Sequence, residues 1–183
     1  IEEKQILIEG LAYIMLKYPE YDKELLKDGE KRYSLEMIKE SILKPLEFKD
    51  FLVIPIFDYL IGNTDRHQNN WATILEDDSI SFSPLYDNSS SLCAYMNEKE
   101  MSACLGKDSM KWKSVVETKS RSIIRITSAD TNRPTHLQVL EYVRHNYYEE
   151  TKDLVSKIIS RVTDENIDNI LESMKLLDTL YSS

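Results

Sequence analysis

Apolar residues recur at helical spacing along most of the chain. At its start they predict an amphipathic helix over about residues 2–17, ending near Pro19. The positions that define this helix are Ile6, Leu7, Gly10, Leu11, Ile14 and Met15. A short second helix is predicted over 21–28. A third begins at Ser34, a good N-cap residue, and runs to about Leu43.

The pattern of apolar and polar residues changes twice in the middle of the chain. Residues 48–61 are apolar almost all round, which predicts a core helix that Pro55 either kinks or begins. The following stretch, WATILEDDSISFSPLYD, alternates apolar and polar residues around Glu76 to Ser79. This alternation predicts two short strands joined by a turn.

The remainder returns to helical spacing. Helices are predicted over 97–105 and 108–117, followed by a long irregular loop, SRSIIRITSADTNRPTH. Helical periodicity then runs from Thr135 to Ser182, with a helix start at Thr163 to Glu165 and apolar stripes that we expect to lie in the core. The predicted fold is mainly α, a single domain over 1–183 with one small β-hairpin near its middle.

Charge and cysteine content narrow the class of function. The chain carries 23 basic and 32 acidic residues, a net charge of −9, which disfavours a broad nucleic-acid contact or an anionic membrane surface and leaves room for a local basic groove. No stretch reaches the about 18 apolar residues of a membrane helix. Cys93 and Cys104 make no disulfide framework, and with no signal peptide visible we expect reduced thiols in a cytoplasmic protein.

A dense polar segment, GNTDRHQNN, follows the apolar run. In it Asp65 and Asn70 have the Asp-x4-Asn spacing of protein-kinase catalytic loops, and Asp87 follows the predicted hairpin, where kinases place a second metal-binding Asp. A carboxylate can accept the proton of an acceptor hydroxyl, and amide and carboxylate oxygens suit Mg²⁺. The spacing alone is common, so a polar loop that caps the next element is the alternative.

The longer segments IGNTDRHQNNW and SPLYDNSSSL resemble the C-terminal lobe of HipA-like kinases, a branch of the protein-kinase-like fold best known as toxins of bacterial toxin–antitoxin pairs. The family motif is N-x-D-x-H-x-x-N followed by P-x-Y-D. The matching residues here are Asn63, Asp65, His67 and Asn70, then Pro84, Tyr86 and Asp87.

This resemblance implies a role for each motif residue. Asp65 would be the catalytic base, with Asn63 and His67 bracing the loop around it, and Asn70 and Asp87 would bind Mg²⁺ and the phosphates of ATP. It further implies a protein substrate bearing Ser or Thr, and an antitoxin as a possible partner.

The D-R-H-x-x-N loop also resembles that of phosphoinositide 3/4-kinases, which act on lipids. The acidic surface and the segment Tyr86-Asp87-Asn88, in place of D-F-G, favour the HipA-like alternative.

Three features stay open. Arg66 is either a surface residue or pairs with a phosphate or Asp87. Ser89 to Ser91 form a polar loop or carry a regulatory phosphorylation site. The stretch KSRSIIRIT is a solvated segment, or it presents cations to an acidic substrate or a phosphorylated residue.

A nucleotide-binding lobe is not visible in the chain. Its glycines, Gly10, Gly29, Gly62 and Gly106, are too far apart for a glycine-rich phosphate loop, and no strand lysine precedes the polar loop. We therefore expect the N-lobe to be supplied by an upstream segment or a separate polypeptide, and the chain alone to be inactive. The alternative is a non-catalytic module that binds a partner.

Overall fold

A computed structural model describes residues 5–22, 32–106 and 109–181 of the chain. Residues 23–28 of the predicted second helix lie outside these ranges. One antiparallel sheet has the strand order β1-β2-β3, with β1 at Gln5–Glu9, β2 at Ala72–Glu76 and β3 at Ser79–Phe82.

The helices precede, follow and flank this sheet. The first four are α1 Gly10–Lys17, α2 Leu35–Ser41, α3 Phe48–Phe51 and α4 Val53–Ile61. After the sheet come α5 Glu98–Cys104, α6 Ser109–Ser114 and a π-helical segment, Val115–Lys119. The chain then continues with α7 His136–Asn146, α8 Tyr148–Arg161 and α9 Asp164–Tyr181.

The predicted helix over 2–17 is wrong in its first half. Residues 5–9 form β1, which pairs antiparallel with β2 so that Ile8 lies opposite Thr73. The β-branched Ile6 and Ile8 suit a strand, and the free edge of β2 supplies its hydrogen-bond partners. The helix begins only at Gly10.

The predicted apolar core helix is divided in two. Pro55 lies in the first turn of α4, where its missing N–H costs no intrahelical hydrogen bond, so the prediction that a helix begins near it is confirmed. The helix ends at Gly62, whose φ of 68° places it in the left-handed region that glycine adopts without strain. The polar loop 63–70 starts immediately after this turn.

Other predicted features are confirmed. The Ser34 side chain accepts a hydrogen bond from the Met37 N–H and caps α2. The hairpin is present as β2 and β3, and the predicted loop after Lys119 is irregular up to α7.

The apolar stripe of α9, as far as its side chains are described, does not lie in the core as expected. Four of its members are 43–61% exposed: Ile167, Ile170, Leu171 and Met174. No helix among the described residues combines the length and apolar character needed to cross a membrane.

The core is centred on Trp71, the residue that follows the polar loop. Its ring stacks on Tyr13 at 6.1 Å and meets Phe51 edge-on at 5.1 Å, with Phe82 at 6.2 Å. The indole N–H donates to the Tyr33 hydroxyl at 2.9 Å, so the polar atom of this buried ring is satisfied. The C-terminal end of the loop is therefore anchored in a buried aromatic cluster.

Gly10 leaves room for this ring. A Cβ added there would lie 2.1 Å from a carbon of the Trp71 indole, well inside van der Waals contact. We expect Gly10→Ala to lower the free energy of unfolding by about 1–3 kcal/mol, the usual cost of overpacking.

Gly106→Ala is the matched control, because its added Cβ would meet nothing closer than 3.5 Å. Urea unfolding of both variants gives the comparison. Equal stability of the two variants would show that the ring and α1 do not meet as described.

Candidate active site

The polar loop 63–70 connects α4 to β2 and is held by the start of α1. The Gly10 N–H donates to the Trp71 carbonyl at 2.9 Å, and the Leu11 N–H donates to the Gln68 carbonyl at 2.9 Å. Strand β1 adds a side-chain contact, since Asn69 Nδ2 donates to Glu9 Oε2 at 2.6 Å. Sequence reasoning did not single out Asn69 and missed this link.

Arg66 is the central side chain of the loop. It is almost completely buried and forms an ion pair with Asp58 of α4, with Nη2 2.8 Å from Oδ1. Its Nη1 donates to the carbonyls of Asn70 and Tyr86, each at 2.7 Å, and Nη2 donates to Asn88 Oδ1 at 2.6 Å. One guanidinium therefore joins α4, the polar loop and the segment 86–88.

This position corrects the expectation for Arg66, which is neither on the surface nor paired with Asp87. Its true partner, Asp58, escaped sequence reasoning. The available signal was a carboxylate inside an otherwise apolar helix, since a buried acid requires a partner. Burial raises the pKa of Asp58, while the hydrogen bonds and charge of Arg66 act in the opposite direction.

Asn63 and His67 shape the backbone around Asp65. The buried Asn63 side chain donates to Asp58 Oδ1 at 3.1 Å and accepts from the Asp65 N–H at 3.2 Å. His67 Nδ1 accepts from the Asn69 N–H at 3.2 Å. Both side chains thus make contacts within the loop that fix its conformation.

Asp65 and Asn70 are coupled through one hydrogen bond. Asn70 Nδ2 donates to the Asp65 carbonyl at 2.8 Å, which leaves the amide oxygen of Asn70 available for another partner. The Asp65 side chain is half-buried, and its carboxylate accepts no hydrogen bond from any described residue. This carboxylate is therefore able to accept a hydrogen bond from a ligand hydroxyl.

Asp87 lies on the segment that Arg66 holds. Its neighbours Tyr86 and Asn88 both accept from Arg66, and the Tyr86 hydroxyl donates to the Asn69 carbonyl at 2.8 Å. Asp87 itself is exposed with φ of 50°, and its Oδ1 accepts from the Ser89 hydroxyl at 3.0 Å. The structure thus connects the segments that carry Asp65, Asn70 and Asp87, and no hydrogen bond joins the Asn70 and Asp87 side chains.

Comparison with protein families gives this loop its context. The family model described as the HipA-like C-terminal domain matches residues 12–166. The chain belongs to this family. The expectation drawn from the motif residues is thereby confirmed at the level of the family.

A solved structure shares the fold of this HipA-like domain. It is the crystal structure of a Helicobacter pylori proinflammatory kinase, CtkA, with a TM-score of 0.67 and 18% sequence identity. The similarity covers 93% of this chain and 60% of that one, so the chain spans less than two thirds of the neighbour's length. The predicted mainly α, kinase-like fold is confirmed. The comparison with curated proteins found no match.

A buried histidine of α7 contacts the first residue of the polar loop 63–70. His136 Nε2 lies 2.7 Å from the Asn63 carbonyl, and Nδ1 lies 2.9 Å from the Ser120 hydroxyl. Burial lowers the pKa of His136, so the neutral ring is favoured. His136 thus links α7 to the residue that orients Asp65.

A groove of about 1040 Å³ opens beside the loop. It lies between the end of α4, the segment 90–96 and the helices α5 and α6, and Thr64 places its edge next to Asp65. The lining is largely apolar and includes Ile61, Tyr95, Trp112 and Val116 together with Cys93 and Cys104, both free thiols.

Loss of the Asp58–Arg66 ion pair is expected to lower the free energy of unfolding. Arg66→Met leaves Asp58 buried without its counter-charge, and we expect the free energy of unfolding to fall by about 3–5 kcal/mol. Lys152→Met is the control, because it breaks an exposed pair with Glu149 and is expected to cost at most about 1 kcal/mol. Similar losses in the two variants, measured by urea unfolding, would contradict a structural role for the buried pair.

His136 makes a prediction for pH dependence. Its pKa is lowered on folding from the ordinary value of 6.5, so the unfolded chain binds the proton more readily. The stability that it contributes is therefore complete above pH 6.5 and is lost as the pH falls below that value.

We expect His136→Gln to flatten the stability profile below pH 6.5. The exposed His145, replaced by Gln, should leave the wild-type slope unchanged. If both variants keep that slope in thermal unfolding, His136 does not titrate as described.

Proposed function

We propose that the chain is the C-terminal catalytic lobe of a HipA-like, ATP- and Mg²⁺-dependent serine/threonine protein kinase. The observation that carries the proposal is the Asp65 carboxylate, which no described residue engages, on a backbone held by Asn63 and Asn70. Such a group meets the geometric demand on a base that must face an incoming hydroxyl.

Asp65 acts on the acceptor. Its carboxylate accepts a hydrogen bond from a substrate serine or threonine hydroxyl, orients the oxygen toward the transferred phosphate and takes up the proton. Asn63 and His67 contribute by fixing the loop, since their contacts are with Asp58, Asp65 and Asn69. They are positioning residues in this scheme.

The donor set suits Mg²⁺. The Asn70 amide oxygen and the Asp87 carboxylate are hard oxygen ligands, and Mg²⁺ is commonly bound by one or two protein oxygens together with phosphate oxygens and water. No group of three or more His, Cys, Asp or Glu side chains suited to a metal occurs among the described residues. When bound, the metal would neutralise charge on the phosphates of ATP.

The rest of the proposed enzyme lies beyond these residues. An N-lobe, upstream or on a separate polypeptide, supplies the adenine and phosphate contacts. The whole protein acts in the cytoplasm on a protein Ser or Thr, as the toxin of a toxin–antitoxin pair with an antitoxin as its partner. The family membership and the kinase fold of the neighbour support the assignment to a kinase.

Replacing the base tests the proposal. In the full-length protein, Asp65→Asn is expected to lower phosphate transfer from ATP by about 10²–10⁴-fold, the range of general-base contributions, with the thermal midpoint unchanged. Asp77→Asn is the matched control, because Asp77 lies in the exposed hairpin turn with φ of 50°, a conformation that Asn tolerates. Equal labelling of substrate by wild type and Asp65→Asn would overturn the assignment.

Nucleotide binding separates the remaining alternatives. A catalytic lobe predicts that Mg²⁺-ATP raises the thermal midpoint of the full-length protein and that Asp87→Asn reduces this shift. Absence of any shift, with tight binding of a protein partner, would favour a non-catalytic module. Phosphate transfer to phosphoinositide vesicles, and none to peptides, would favour a lipid kinase.

A further inference from the structure

The irregular loop between Lys119 and α7 packs against the chain segment that leads into α2. The Arg32 N–H donates to the Ser128 carbonyl at 3.1 Å, and the Arg125 N–H donates to the Tyr33 carbonyl at 3.2 Å. Ser34 and Arg125 form an isolated parallel bridge. These contacts bring Arg32 and Arg125 onto neighbouring strands of backbone.

Arg133 is the third arginine of the group. Its backbone carbonyl accepts a hydrogen bond from Arg121 Nη1 at 2.8 Å, which holds the far end of the loop near its start. Burial lowers the pKa of Arg125, and the positive charges of Arg133 and Arg32 lower it further. The guanidinium groups of Arg32 and Arg133 therefore each lie near enough to that of Arg125 to repel it.

Among the described residues, no carboxylate forms an ion pair with this group, and the buried Nε of Arg125 has no hydrogen-bond acceptor. The nearby Asp130 carboxylate accepts a hydrogen bond from the Thr127 N–H at 2.8 Å. Asp130 and Tyr21 are the two neighbours whose charges act on Arg125 in the opposite direction to the arginines. A buried donor without an acceptor is costly, so an anion that supplied one would bind favourably here.

We propose that Arg32, Arg125 and Arg133 form a binding site for a phosphate monoester group. Three guanidinium groups present planar pairs of donors, and a phosphate dianion offers three strong acceptor oxygens with close to two negative charges. A carboxylate carries one charge and two oxygens and would leave part of the cluster unpaired. In a chain of net charge −9, this local concentration of unpaired cations is a specific feature rather than a consequence of composition.

The phosphate can belong to a phosphorylated side chain of a polypeptide or be free phosphate, and calorimetry of the 183-residue chain distinguishes these sources. The titrants are inorganic phosphate, a phosphoserine peptide, its unphosphorylated form and acetate, all at one ionic strength. We expect saturable binding of phosphate and the phosphopeptide, and none of the other two. Tighter binding of the phosphopeptide assigns the site to a polypeptide, and tighter binding of inorganic phosphate assigns it to the free ion.

Variants decide whether the arginines are responsible. Arg125→Gln and Arg133→Gln are each expected to weaken phosphate binding by at least about tenfold, the loss of one charge-assisted hydrogen bond. Arg133 is exposed, so its variant keeps the fold even if Arg125→Gln does not. Arg144→Gln, an exposed arginine of α7, is the control and should bind like wild type.

The proposal is overturned if phosphate does not bind saturably, or if Arg133→Gln binds it as tightly as Arg144→Gln. It is also overturned if acetate binds as tightly as phosphate. Because these measurements need neither ATP nor phosphate transfer, their outcome is independent of the proposed kinase activity.

Discussion

The buried ion pair between Asp58 and Arg66 is the constraint on which the site depends. Removing two charges from water is costly, and the cost is offset only when every donor finds an acceptor. All five N–H donors of Arg66 do so, since Nε and Nη2 contact Asp58 and the remaining donors reach Asn70, Tyr86 and Asn88. An apolar residue could fill the same volume, but it could not specify the relative position of the three segments.

The aromatic core acts on the other end of the same loop. Trp71 is enclosed by Tyr13, Phe51 and Phe82, and the close approach of Gly10 lets α1 reach the loop backbone. The polar loop is thus held at its start by the end of α4 and the Asp58–Arg66 ion pair, and at its end by the buried ring of Trp71. Such support is what a preorganised site requires, because reacting groups must be held before the substrate arrives.

The sequence was informative where local pattern decides structure. Helix positions, the hairpin and the cap at Ser34 follow from periodicity and capping chemistry, and the motif residues identified the family. Prediction from the sequence failed where contacts with segments far away in the chain determine the structure. Residues 5–9 form a strand only because β2, more than sixty positions away, offers an edge, and Arg66 is buried only because α4 and the segment 86–88 close around it. Neither relation leaves a periodic trace in the chain.

We propose that the Arg66 network holds Asp65, Asn70 and Asp87 together as one site for phosphate transfer. A crystal structure of the full-length protein with Mg²⁺ and a non-hydrolysable ATP analogue would test this proposal. We expect Mg²⁺ bound by the Asn70 amide oxygen and the Asp87 carboxylate, the Asp65 carboxylate facing the terminal phosphate, and the Arg66 contacts unchanged. A metal bound elsewhere, or an Asp65 side chain turned away from the nucleotide, would contradict it.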